Sequence, residues 1–219
     1  MKNKKKISML ITAGPTIEPI DPVRFISNRS TGTMGYTLAR EAAAKGFHVV
    51  LVSGPVCLDD PEGVEVIRIN TAEEMKKKVN EKLRAADCLI MAAAVCDFRP
   101  EKAKKRKIKK TPQMTIKMTV NPDILKELKG RTEIIKIGFA LETNDLEKNA
   151  RGKLKNKNID LIVANIIKSR KDPFGEGEKD FIMISKKGGT SKFIGITKEK
   201  CARIILDKAE MMVNENAGK

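Results

Sequence analysis

Short apolar runs alternating with amphipathic helical segments constrain this chain more than any other feature. Ile7–Thr12, Phe47–Ser53, Val64–Ile69 and Cys88–Ala94 are too short for helices, are apolar throughout or nearly so, and end at Gly, Pro, Asn or polar turns. Between them, Met34–Lys45 carries an apolar stripe at helical spacing and stops at Gly46. Thr71 precedes a second such segment, to about Ala85, with Glu73 and Glu74 in its first turn. Apolar strands separated by helices require a mainly parallel sheet covered on both faces, and such a sheet binds ligands at the carboxyl ends of its strands. The expected fold is a doubly wound α/β structure of Rossmann-like type.

Beyond Arg99 the grammar breaks. Pro100 to Lys110 reads Pro-Glu-Lys-Ala-Lys-Lys-Arg-Lys-Ile-Lys-Lys, which cannot build a core. A run of this charge density is expected to be an extended, mobile strap, either a lid or a surface turn, until an anion orders it. The alternation then resumes. A strand is expected at Met114–Val120, a helix from Asn121-Pro122-Asp123 to Leu128, a strand at Ile134–Ala140, and a helix at Asn144–Lys157 capped near Thr143. Strands at Leu161–Ala164, Asp180–Ser185 and Ser191–Ile194 flank a Gly- and Pro-containing loop, and Thr197 caps a last helix to about Val213. No internal repeat interrupts this order, and 219 residues suit a single domain spanning 1–219.

Composition removes several classes. A net charge of +16 invites a nucleic-acid partner, but with no Trp and one Tyr the chain lacks the interleaved basic and aromatic residues that bind single strands. The excess charge fits a solvated lysine-rich surface or the attraction of a small polyanion. Cys57, Cys88, Cys96 and Cys201 form no CxxC pair and no cluster with histidine, so neither a zinc site nor a disulfide framework is indicated, and no metal ligands are assigned. No apolar stretch approaches membrane-spanning length and Met1–Lys6 lacks the features of a signal peptide, so a cytoplasmic location is expected. Hydride transfer fails a direct test. The first strand leads into Thr12-Ala13-Gly14-Pro15-Thr16 without G-x-G-x-x-G, and Tyr36 has Arg40, not Lys, four residues on. An NAD(P)-dependent oxidoreductase and a basic nucleic-acid-binding protein are kept as alternative readings.

A polar turn, Arg24-Phe-Ile-Ser-Asn-Arg-Ser-Thr-Gly-Thr-Met-Gly35, opens directly onto the first helix. Free amides and the positive dipole end at a helix N-terminus attract phosphate, with Gly32 and Gly35 permitting close approach and Ser30 and Thr31 supplying hydroxyls. A plain connection with a Ser/Thr cap fits the same residues.

In order and spacing, the chain resembles the phosphopantothenate–cysteine ligase (phosphopantothenoylcysteine synthetase) family of coenzyme A biosynthesis over nearly its whole length. The resemblance is carried by Ala13-Gly14-Pro15-Thr16 with Asp21-Pro22-Val23-Arg24, by Ile26-Ser27-Asn28-Arg29-Ser30 with Gly32 and Met34-Gly35, and by Ala92 to Arg99. It continues through Lys107-Ile108-Lys109-Lys110, Asn121-Pro122-Asp123-Ile124, Gly138-Phe139-Ala140, Glu142-Thr143-Asn144 and Ala164-Asn165. It implies ligation of 4′-phosphopantothenate to cysteine through an acyl-nucleotide, with CTP in the bacterial type and Mg2+ on the phosphates. It also implies a homodimer, and the flavin-dependent decarboxylase as a partner, since in many bacteria the ligase is the carboxyl-terminal half of a bifunctional protein.

By the same resemblance, Lys107 neutralises the α-phosphate, and the Asn28 amide contacts the pantothenoyl carboxyl and holds the oxyanion when cysteine attacks. Arg24 pairs with the substrate phosphate from a neighbouring protomer, and Ala93, Ala94 and Asp97 orient the hydroxylated acid. The nucleotide falls to Met91, Ala92, Ala93, Asp97, Pro122, Asp123, Ile124, Leu125, Phe139, Lys153 and Lys157, with Ser30, Gly32, Gly35 and Asn165 near the phosphates. Spacing alone adds that Lys153 and Lys157 share a helix face. His48, inside an apolar run, reads as a strand-edge residue, and Cys96, with no partner histidine, as packing.

Overall fold

The computed structural model describes residues 6–142, 146–166 and 177–218. In chain order, β1 (Ser8–Ala13), β2 (Ile17–Pro19), β3 (Phe25–Ser27), α1 (Thr33–Ala44), β4 (His48–Ser53), β5 (Glu65–Arg68), α2 (Ala72–Leu83) and β6 (Cys88–Met91) form the first half. Then come β7 (Phe98–Pro100), β8 (Met118–Val120), α3 (Ile124–Glu127), a 3-10 turn (Leu128–Gly130), β9 (Ile135–Glu142) and α4 (Leu146–Lys157). The last elements are β10 (Leu161–Ile166), β11 (Lys179–Ser185), β12 (Thr190–Ile196) and α5 (Lys198–Ala217).

Eight strands make one sheet in the order β12-β11-β10-β9-β6-β1-β4-β5. From β5 to β10 every neighbouring pair is parallel, and β11 and β12 extend the sheet antiparallel. The chain runs from β1 outward to β5, then returns to the other side of β1 at β6. The order therefore reverses between β1 and β6, the kind of switch point beside which open α/β sheets bind their ligands.

The two-residue strand period decides the layers. Met9, Ile11 and Ala13 pack with Tyr36 and Leu38 of α1 and Ile205 and Leu206 of α5 on one face. Leu10, Val50, Val52 and Leu89 pack with Met75, Val79 and Leu83 of α2 on the other. On that second face Ala150 and Leu154 of α4 cover Ile162, Ala164 and Ile184. Each fully buried Leu or Ile contributes about 1.5–3 kcal/mol, so this double covering is the main stabilising term. α2 begins as its sequence predicts: Thr71 Oγ1 accepts from the Glu74 amide while Glu74 Oε2 accepts from Asn70 and Thr71. Buried Glu18, in β2, adds a third acceptor by taking the Ala72 amide.

Several expected boundaries move, each for a local reason. The strand expected at Cys88–Ala94 ends at Met91, because Ala93 turns to the Thr12 hydroxyl of β1 and Ala94 to Gly14 O in the loop after it. The strand expected at Met114–Val120 shrinks to Met118–Val120, which is all that the short β7 can pair. Asn121 and Pro122 precede the third helix instead of starting it, since Asp123 is its N-cap and accepts the Lys126 amide at 3.2 Å. The terminal helix runs on to Ala217. Thr143, Asn144, Pro173, Gly175 and most of the Met1–Lys6 stub lie outside the described residues. Among the described residues no helix is long and apolar enough to cross a membrane.

Candidate functional site

A cleft of about 810 Å³ opens at the carboxyl ends of β1, β6, β9 and β10. Its floor is a set of loops stitched to one another across large sequence separations. The segment after β6 is the hub. Ala93 donates to Thr12 Oγ1 at 3.2 Å, Ala94 to Gly14 O at 2.9 Å and Cys96 to Thr16 Oγ1 at 3.0 Å. Asn28 Nδ2 donates to Ala94 O at 2.9 Å and Val95 O at 3.2 Å, bringing in the turn before α1. Asn121 closes the ring, its Nδ2 donating to Cys96 O and its amide to Asp97 O. Motifs that are separate in the chain thus become one surface.

α1 enters this surface without a side-chain cap. Its N-cap is Gly32 at φ 77°, and the first intrahelical bond runs from the Tyr36 amide to Gly32 O. The amides of Met34 and Gly35 precede that bond, and both residues line the cleft, so donors and the positive end of the dipole lie where an anion would sit. The expected Ser/Thr hydroxyl is not at the N-cap itself, though Thr31 Oγ1 accepts the Thr33 amide at 3.5 Å. The glycines serve packing as well: a Cβ on Gly35 would lie 2.5 Å from Ala13 Cβ, and one on Gly32 would meet Val56 Cγ1 at 2.6 Å. Gly35 thereby lets α1 lie directly on β1.

The lining is basic. Arg29, Lys157, Lys179 and Lys198 face the cleft with Asp97 and Asp123. Lys157 Nζ pairs with Asp123 Oδ2 at 2.9 Å, so the helix-capping aspartate also holds this ammonium in place. Among the described residues no group of three or more His, Cys, Asp or Glu could hold a metal. Cys96 is buried, donates its thiol to Thr16 O, and burial pushes its pKa up, which fits packing over reactivity. His48 starts β4, at the opposite end of the parallel strands.

Of the residues expected from sequence, Asn28, Ser30, Gly32, Gly35, Met91 to Ala94, Asp97, Pro122 to Leu125, Phe139, Lys157 and Asn165 all line this cleft. Arg24, Lys107 and Lys153 do not. Lys153 is a helical turn before Lys157 on α4, and a rise of about 6 Å per four residues separates the two side chains. Arg24 instead binds Asp21, Nε at 3.0 Å and Nη2 at 2.7 Å, and its Nη2 also donates to Ile108 O at 2.6 Å. The Ile108 amide, together with those of Val23 and Arg24 and the Arg24 guanidinium, holds the Asp21 carboxyl well below the usual range against the cost of its burial. Lys107 is exposed, within irregular chain from 101 to 117.

Both Asn28 N–H groups are engaged by backbone carbonyls, a restraint that the expected oxyanion role did not include. Sequence reasoning also missed Thr12 and Thr16, whose partners are 81 and 80 residues away. It missed Arg29, Lys179 and Lys198 too. Arg29 lay inside the Ile26 to Ser30 motif, whereas the two lysines reach the cleft only because β11 and β12 extend the sheet.

Comparison with known proteins agrees with this geometry. Residues 4–212 match the DNA/pantothenate metabolism flavoprotein C-terminal domain. The chain is 52% identical over 163 residues to the coenzyme A biosynthesis bifunctional protein CoaBC of Vibrio parahaemolyticus, covering 72% of this chain and 41% of that protein. It is 43% identical over 225 residues to a cysteine/cysteine sulfinic acid decarboxylase of an unknown prokaryotic organism, covering 97% and 62%. The chain thus spans less than two thirds of these curated relatives. Among solved structures, the C-terminal domain of a CoaBC protein superposes with TM-score 0.82 at 37% identity, covering 95% of this chain and 96% of that one. With both the family pattern and the fold matched almost end to end, this chain belongs to the DNA/pantothenate metabolism flavoprotein C-terminal domain family.

Proposed function

We propose that the chain is a phosphopantothenate–cysteine ligase of the CTP-dependent type. The observation that carries this reading is the stitched cleft, which is lined by the α1 N-terminus with its glycine N-cap, by the loop Ala92 to Asp97 and by Arg29, Lys157, Lys179 and Lys198. Two polyanions must meet for acyl activation, and such a field lowers the cost of bringing them together. In the first step the carboxylate of 4′-phosphopantothenate attacks the α-phosphorus of CTP and pyrophosphate leaves. In the second the cysteine amine attacks the acyl carbon and CMP leaves. Lys107 neutralises the phosphorus centre in step one, and Asn28 donates to the carbonyl oxygen in step two. To do so Asn28 releases its longer bond, that to Val95, at a cost of about 1 kcal/mol.

Mg2+ bound to the triphosphate would shield the phosphate charge, with Asp97 the lining carboxylate that could approach it. The donor set fits this arrangement: Asp97 is the lining carboxylate outside the Lys157 pair, and no all-protein cage is required. Assembly is as a homodimer. Arg24 does not line its own cleft, and Val23, Phe25, Phe98 and Val120 expose 53–67% of their surface on the neighbouring hairpins β2–β3 and β7–β8. A second copy covering these residues would bring Arg24 to the partner's cleft. The reading places the enzyme in the cytoplasm, working beside a flavin-dependent decarboxylase that consumes its product. The cysteine/cysteine sulfinic acid decarboxylase is a longer protein, of which this chain spans 62%.

Pyrophosphate release tests the reading. It should require 4′-phosphopantothenate and proceed faster with CTP than with ATP. Equal or better use of ATP overturns the nucleotide assignment. Tight, salt-sensitive binding of DNA or RNA with no nucleotide-dependent pyrophosphate release overturns the ligase reading in favour of a nucleic-acid protein.

A further inference from the structure

Arg24 and Lys107, which do not line the cleft of their own chain, are both held through one side chain. Asp21, in the turn between β2 and β3, has a side chain with no exposed surface. Its Oδ1 accepts the amides of Val23 and Arg24, each at 2.9 Å. Its Oδ2 accepts Arg24 Nε and Nη2 and the amide of Ile108 at 3.0 Å. Because Arg24 Nη2 also donates to Ile108 O, residue 108 is held at both its N–H and its C=O. A second tie, from the Lys104 amide to Ile20 O at 2.9 Å, fixes the strap three residues before Lys107.

We propose that Asp21 is a positioning residue for the ligase reaction, presenting the Arg24 guanidinium and the strap at Lys107 as one rigid unit. The inference rests on the ligase reading. Lys105-Arg106-Lys107 then forms a short exposed span between two anchors, so mutual repulsion in the basic run no longer decides where the ammonium of Lys107 goes. Prior fixing of a reacting group is worth orders of magnitude in rate, which gives the device its use. A carboxylate is required because all five donors point at it. An amide would turn its NH2 either toward the Val23 and Arg24 amides or toward the guanidinium and the Ile108 amide, and one side would be lost.

Asp21→Asn is the direct test, read as pyrophosphate release at saturating substrates, with thermal melting alongside. Release should fall about ten- to a hundredfold, and KM for 4′-phosphopantothenate should rise, because Arg24 is loosened too. In a Lys107→Gln background the same change should cost less than about threefold, since the residue it acts through is already gone. A role confined to folding of the hairpin would give the same loss in both backgrounds, and that result overturns the proposal. Ile108→Pro removes the strap's N–H together with the isoleucine side chain, narrows the backbone of Lys107 before it, and leaves the Asp21 and Arg24 side chains in place. It should reproduce the loss of pyrophosphate release and speed tryptic cleavage between Lys104 and Lys110, with KM staying near the wild-type value. Undiminished release by Ile108→Pro in an otherwise active enzyme overturns this inference alone. A wild-type protein that releases no pyrophosphate overturns the ligase reading and this inference with it.

Discussion

Asn28→Asp is nearly isosteric, yet it turns a hydrogen-bond donor into an acceptor at the residue proposed above to act in the second step. In the structure Asn28 Nδ2 donates to Ala94 O at 2.9 Å and Val95 O at 3.2 Å. A carboxylate cannot donate, so both bonds go and two carbonyl oxygens face an anion. The side chain is exposed, so the loss of two neutral bonds costs about 1–2 kcal/mol, lowering Tm by roughly 2–8 °C for a chain of this size without unfolding it. The catalytic loss is larger and belongs to one step. Removing an oxyanion donor costs about 3 kcal/mol, a factor of roughly a hundred. On the division of labour proposed above, that penalty falls on cysteine capture and nucleotide activation depends on Lys107. Rapid quench with labelled CTP should therefore find a burst of pyrophosphate better preserved than in Lys107→Gln, slow product formation and an accumulating acyl-cytidylate. Lys107→Gln should do the opposite, depressing the burst. If Asn28→Asp abolishes the burst as fully as Lys107→Gln and no intermediate is trapped, Asn28 does not act in the second step.

Phe25→Asp combined with Val120→Asp should convert a dimer to monomer in light scattering and reduce activity at least tenfold, because Arg24 then serves no cleft. An unchanged mass refutes that interface. Lys136 in β9 is 1% exposed and donates from Nζ to Leu128 O and Arg131 O, tying down the chain that follows α3. Lys136→Met strands both carbonyls. After allowance for the relieved burial of charge it should cost about 3 kcal/mol, or roughly 6–12 °C in Tm, and an equal or higher Tm would remove that role. Burial pushes the Cys201 thiol from its ordinary 9.0 up to about 12. Its folded pKa is the higher one, so its contribution to stability is complete below pH 9 and is lost as pH rises toward 12. Urea melts of wild type and Cys201→Ala should converge between pH 8 and 10.5, by about 1.4 kcal/mol per pH unit above 9. Parallel curves would contradict the burial.

The sequence by itself determined the layered α/β fold, because strand and helix periods are local properties that need no knowledge of the partner. Met9, Leu10 and Ile11 alternate faces whatever covers them, and the Thr71–Glu74 capping box is complete within four residues. The motifs around Asn28, Ala93 and Asp123 were likewise legible as separate groups. Only the tertiary structure decided how they join. The bonds that hold the site, such as Ala93 to Thr12 and Ile108 to Asp21, link residues 81 and 87 positions apart and leave no period in the chain. The same holds for where each group faces. Lys157 reaches the cleft and pairs with Asp123, while Lys153 does not line it. Asp21 stood in sequence as one member of the Asp21 to Arg24 motif, and it is a buried carboxylate that takes four donors from its own turn and a fifth from Ile108, 87 residues on. Spacing fixes which residues share a face of one element, but a hydrogen-bond acceptor is filled by whatever the folded chain brings within about 3 Å, and that is a property of the whole packing.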